Sequence, residues 1–129
     1  MADMIDLSTI SWTDKPYKAN ISQIPPGVPP LHFESNSWAL ATNNDIEFLV
    51  VEIRPGGHAD KDVHPDADHV YYCLSGYGYQ ILDGVRYDIG PGDVLFVPRG
   101  VYHEIYLTGQ ETLRMIVTFS PCREAKRKQ

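Results

Sequence analysis

A chain of 129 residues, 43% hydrophobic and 22% charged, has room for one domain with a buried core but not for two. Its net charge of −6 argues against nucleic acid as a partner, because phosphate binding needs a basic surface. No apolar run approaches the roughly 20 residues of a membrane helix, and two cysteines far apart, Cys73 and Cys122, argue against a disulfide framework and for buried thiols.

Residues 1–35 read as an arm. Met1 to Ile10 carry Asp3 and Asp6 without a basic flank or an apolar stretch, so they are not a secretory signal, and a cytoplasmic location is the default expectation. Ile24 to Leu31, rich in Pro and Gly, predict an extended segment without ladder hydrogen bonds. The arm also carries Trp12, Tyr17 and Ile24 with no core of its own, which leads us to expect a homodimer. His32, beside the Pro-rich stretch, reads as a surface residue.

From residue 36 to 122, short β-branched and aromatic runs succeed one another. They are Asn36–Thr42, Ile46–Arg54, His69–Leu74, Tyr77–Leu82, Val85–Tyr87, Val94–Val97, His103–Leu107 and Leu113–Phe119. Pro55-Gly56-Gly57 is expected to close one strand, and Asp83-Gly84 predicts a two-residue hairpin. Gly90-Pro91-Gly92-Asp93 and Pro98-Arg99-Gly100 force further reversals. About eight short strands at this spacing mean an all-β sandwich or barrel. Residues 123–129 form a basic tail, Arg123, Lys126, Arg127 and Lys128 against Glu124, expected to be solvated.

Three histidines carry the chemistry. His64 is expected to end one short strand, and His69 to open the next after the turn Pro65-Asp66-Ala67-Asp68. Asp62 lies two residues before His64, on the same face of an extended chain. His103 opens a strand after a second rigid turn. Three imidazoles and a carboxylate suit zinc, iron, manganese or nickel. His58 competes with Asp62 for the fourth place.

The spacing of these residues resembles that of the cupin superfamily, in particular small single-domain cupins with a cupin-2-like conserved barrel. The family's first motif sets a glycine, two histidines, a glutamate and a closing glycine at fixed intervals, and those places fall here on Gly56, Asp62, His64, His69 and Gly76. The second motif falls on Gly92, Pro98, Gly100, His103 and, where the family has asparagine, Leu107. Asp62 and His69 thus exchange the imidazole and carboxylate of the family pattern while keeping its inventory. The resemblance implies a jelly-roll (double-stranded β-helix) barrel holding one divalent metal ion through Asp62, His64, His69 and His103.

If His69 faces inward, the pleat makes Tyr71 and Cys73 its companions and turns Tyr72 and Leu74 away. Ile105 and Leu107 share the face of His103. Tyr71 would place a phenol near the metal, while Tyr79 and Met115 are further candidates for the pocket wall. The expected function is a metalloenzyme acting on a small oxygenated organic molecule, of dioxygenase, isomerase, decarboxylase or lyase type. The alternative is a small-molecule binding or sensing module without turnover.

Overall fold

Inward-facing residues alternate with outward-facing ones along most of the eight strands of the computed structural model, which describes residues 18–123. They are β1 (His32–Thr42), β2 (Glu47–Asp62), β3 (Asp68–Ser75), β4 (Gly78–Leu82), β5 (Val85–Ile89), β6 (Val94–Val97), β7 (His103–Leu107) and β8 (Leu113–Ser120). Trp12, Tyr17, Glu124, Lys126, Arg127 and Lys128 lie outside the described residues. Every pairing is antiparallel, in the order β5-β4-β7-β2-β8-β3-β6, with β1 laid along β2. The sheet curls into the jelly-roll barrel that the motifs imply.

One strand holds the two halves together. The first part of β2, Glu47 to Ile53, pairs with β8, and its last part, His58 to Asp62, pairs with β7. Pro55-Gly56-Gly57 therefore bends the strand instead of closing it, contrary to the sequence reading. Gly56 adopts φ 88, open to glycine at little cost. A Cβ on Gly57 would stand 2.5 Å from the carbonyl oxygen of Phe33, so β1 crosses the bend at close quarters. β1 follows both parts, with Ser35 opposite Ile53 and Phe33 opposite His58. Between those two pairs Glu34 sits at φ 49, and the alternation of inward and outward residues changes phase there.

Leu113, Met115, Val117 and Phe119 of β8 meet Tyr71 and Cys73 of β3 and Leu49, Val51 and Ile53 of β2 in a single core. Each fully buried aliphatic side chain here contributes about 1.5–3 kcal/mol through removal from water. Tyr72 and Leu74 point outward as the pleat requires, and with Val94 and Phe96 of β6 they are 41–61% exposed. Cys73 and Cys122 are both buried, as expected.

The Pro-rich arm is tied to the sheet at Leu31, whose carbonyl oxygen accepts from the Asp60 N–H at 2.8 Å, and at Gly27. Gly27 and Ser37 exchange two backbone hydrogen bonds of 2.8 Å, so the expectation of no ladder bonds fails at this residue. Pro25, Pro26, Pro29 and Pro30 have no N–H, which leaves Gly27 and Val28 as the donors available between them. Ile21, Ile24 and Pro26 then face Trp38, Glu52 and Arg114 across a shallow groove. Asp83 and Gly84 both take positive φ, 51 and 84, which suits the two-residue hairpin turn expected between β4 and β5. Among the described residues no helix is long and apolar enough to cross a membrane.

Candidate metal centre

Two turns at one end of the barrel bring the histidines together. His64 lies in the loop after β2, since the strand stops at Asp62 and does not reach it as the sequence reading expects; His69 is the second residue of β3, and His103 is the first of β7. The loops are fastened to each other, since the Gly100 N–H donates to the His64 carbonyl at 3.0 Å. Asp68 accepts from the Arg99 backbone N–H at 2.9 Å and from its guanidinium at 3.2 Å, and these hydrogen bonds hold the Asp68 carboxyl below its usual range. As a result, one ring nitrogen from each of His64, His69 and His103 lies within 4.8 Å of the others. The rings of His69 and His103 meet edge to face with centroids 4.7 Å apart, and that of His64 is tilted by 36° against His103 with centroids 5.1 Å apart.

His69 is buried against the face of Phe119, with ring centroids 4.7 Å apart. Neither of its ring nitrogens has a hydrogen-bond partner among the described residues. His103 faces the Val101 carbonyl oxygen through Nδ1 at 3.4 Å, which orients the ring and leaves Nε2 for the cluster. Burial disfavours the charged form of all three, reinforced at His64 and His69 by the charge of His103. His64 falls from 6.5 to about 4, His69 from 6.5 to about 2, and His103 is lowered. Neutral, close-set imidazoles with orphaned nitrogens are the donor set that a divalent transition ion takes, so the three histidines could hold one.

The other sequence candidates are distributed as follows. Asp62 stands at the rim, opposite His103 in the β2–β7 ladder, with Oδ2 3.8 Å from His64 Nε2 and Oδ1 accepting from the Val63 N–H at 2.8 Å. Tyr71 faces inward, edge to face with His69 at 5.1 Å. Met115 is buried in the core, whereas Tyr79 lies on the outer face, stacked on Tyr106 and covered by the Arg86 guanidinium. His58 is outside too. It stacks on Phe33 at 4.7 Å and pairs with Asp60 at 2.9 Å, which removes it as a rival ligand.

Two residues that sequence reasoning placed at the surface belong to this end of the barrel. His32 stands opposite Ala59, on the inward side, because the irregularity at Glu34 reverses the phase of β1. Its Nδ1 meets Ser35 Oγ at 3.2 Å. Its pKa falls from 6.5 to about 4 through burial and then the charge of His103. Arg123, assigned to the solvated tail, instead forms a two-pronged ion pair with Glu47, with Nη2 to Oε2 at 2.7 Å and Nε to Oε1 at 3.0 Å. Its guanidinium also covers Phe119 at 4.4 Å, the ring on which His69 is stacked. Glu47 occupies an inward strand position beside Leu49 and Val51, so a cation had to reach it.

Comparison with known proteins agrees with this architecture. The sequence pattern that defines the cupin domain matches residues 49–119. Quercetin 2,3-dioxygenase of Bacillus subtilis is 27% identical over 128 residues, covering 87% of this chain and 38% of the enzyme. The chain thus spans well under half of that relative's length. Among solved structures, a predicted oxalate decarboxylase from Thermotoga maritima superposes with TM-score 0.72 at 24% identity, covering 79% of this chain and 96% of that one. The polyketide cyclase RemF from Streptomyces resistomycificus superposes with TM-score 0.73 at 22% identity, covering 83% of this chain and 80% of that one.

Proposed function

This chain belongs to the cupin family, and on that premise we propose that it is a metal-dependent enzyme acting on a small oxygenated organic molecule at the histidine cluster. The observation that carries the reading is the convergence of His64, His69 and His103, with both nitrogens of buried His69 left without hydrogen-bond partners among the described residues. A divalent ion bound there supplies Lewis acidity toward a carbonyl, enol or carboxylate oxygen. Asp62 is the carboxylate we add as a fourth donor, on the strength of its place beside His64.

The protein's own groups set the rest. His103 is steadied by the Val101 carbonyl, and His69 is steadied by Phe119. Tyr71 is the group we assign to proton or hydrogen-bond donation. Burial raises its phenol pKa well above the ordinary value, so the hydroxyl stays protonated at neutral pH and donates to a substrate oxygen. The apolar core below the cluster keeps bulk water from that oxygen.

Protein stripped of metal and reloaded with Fe(II), Mn(II), Zn(II) or Ni(II) should convert a member of a panel of enols, hydroxy acids and sugar acids, and chelation should abolish the activity. Tyr71→Phe should lower kcat by about a hundredfold with metal content unchanged. Dependence on Fe(II) and air would specify a dioxygenase. Equal activity with zinc or manganese without oxygen would specify an isomerase, decarboxylase or lyase. Molecules recovered unchanged from every metal form would overturn the enzyme reading in favour of a binding or sensing module.

A further inference from the structure

Gln80 is wholly buried, 0% exposed, and neither its amide nitrogen nor its amide oxygen has a hydrogen-bond partner among the described residues. An amide carries two donor hydrogens and an acceptor oxygen, and burying them unpaired is costly. A leucine would fill the same place in an apolar barrel without that cost. The chain nevertheless puts an amide there.

The register shows where this amide lies relative to the histidines. On the inner face of the β4–β7 pair, Leu82 stands opposite His103, and Gln80 stands opposite Ile105, one inward step away. Gln80 and His103 are therefore diagonal neighbours on one wall, about 7 Å apart, within reach of each other's long side chains. The row continues from Ile105 to Ala59 of β2 and from Ala59 to His32 of β1. Apolar Ile105 and Ala59, the latter with only a methyl side chain, thus lie between a polar amide at one end and an imidazole at the other. This row runs beside the one that carries Asp62 and His103.

We propose that Gln80 is a specificity-determining residue, whose amide binds a hydroxyl or carbonyl oxygen on the far side of a molecule held at the histidine cluster. The ligand class is then narrower than oxygenated molecules in general. It must present one chelating oxygen pair to the metal and a further neutral oxygen across an apolar body, placed to meet the amide. Simple diacids with nothing beyond the chelating group leave Gln80 unpaired and are poor ligands. This inference rests on the reading that the cluster presents a metal to organic oxygen ligands.

Kojic acid and allomaltol test it. They chelate through the same hydroxyl and ketone oxygens and differ by one hydroxyl on the far side of the ring. The Co(II)-loaded protein should bind kojic acid about tenfold more tightly than allomaltol, as read from its visible spectrum. Gln80→Leu and Gln80→Met should lose that preference, with allomaltol affinity and metal content little changed and the Tm of the metal-free protein no lower. Equal affinities in the wild type, or a preference that survives in both variants, would overturn the role of Gln80. A Co(II) spectrum that responds to neither probe would overturn the underlying metal reading, and the inference with it.

Discussion

Replacing His69 with alanine or leucine is expected to lower metal affinity by at least about a hundredfold, a loss read by elemental analysis of purified protein. Two imidazoles and a rim carboxylate remain after the change, and His69 is the most deeply enclosed of the three donors. The leucine variant separates ligation from folding. Among the described residues His69 makes no hydrogen bond that leucine would forfeit, so the metal-free leucine variant should unfold at the same or higher denaturant concentration at neutral pH. Acid should widen the gap between the two proteins. The folded pKa of His69 lies below the unfolded value of 6.5, so the unfolded chain binds more protons as the pH falls and the folded state loses ground from 6.5 downward. Each such imidazole costs about 1.4 kcal/mol per pH unit in that range. His32 and His64, lowered to about 4, and His103 add to the slope in the wild type. Urea midpoints of the metal-free proteins between about pH 7 and about pH 5 should therefore fall less steeply for His69→Leu. Retention of a full complement of metal by His69→Ala would remove the basis of the proposed centre.

The second large effect concerns folding. Arg123→Met should destabilise the protein by about 3–5 kcal/mol, because it strands the carboxylate of Glu47, which is 0% exposed, without its cation. Glu47→Leu should cost less. The Arg123 side chain is 22% exposed and can turn to water once released. The double variant should recover much of the loss, giving a coupling energy well outside additivity. Burial alone would raise the Glu47 pKa, but the hydrogen bonds and charge of Arg123 outweigh it and hold the carboxyl below 4.5. The pair therefore stabilises the fold above that value and ceases to do so as the pH falls through the lower folded value, so wild type and Arg123→Met should converge in acid. Equal urea midpoints at neutral pH, or strict additivity in the double variant, would contradict this account.

These residues also show where the sequence was readable. His64, His69 and His103 were identifiable because each stands beside a turn whose Pro or Gly residues fix its place, and strand alternation then gave Tyr71 inward and Tyr72 outward correctly. Pro55-Gly56-Gly57 was misread as a terminus because the strand continues against a different partner, and no local signal announces a change of partner. His32 was lost for a related reason. A non-glycine residue at positive φ, Glu34, resets the alternation, and composition does not reveal it. Arg123 was legible in principle, since Glu47 shares the parity of Leu49, Val51 and Ile53, and a carboxylate on a core face requires a partner. Gln80 carried the same kind of signal on β4, where the Asp83-Gly84 turn fixes its parity with Leu82.

The histidines that could hold an ion occupy a loop and the first residues of two strands, whereas Gln80 and Ile105 stand further along the strands. On the proposed reading, chemistry and selectivity are written in separable stretches of chain. Exchange of the mid-strand side chains can redirect such a scaffold to a new molecule while leaving its reactive centre intact, so divergence within one architecture needs few substitutions.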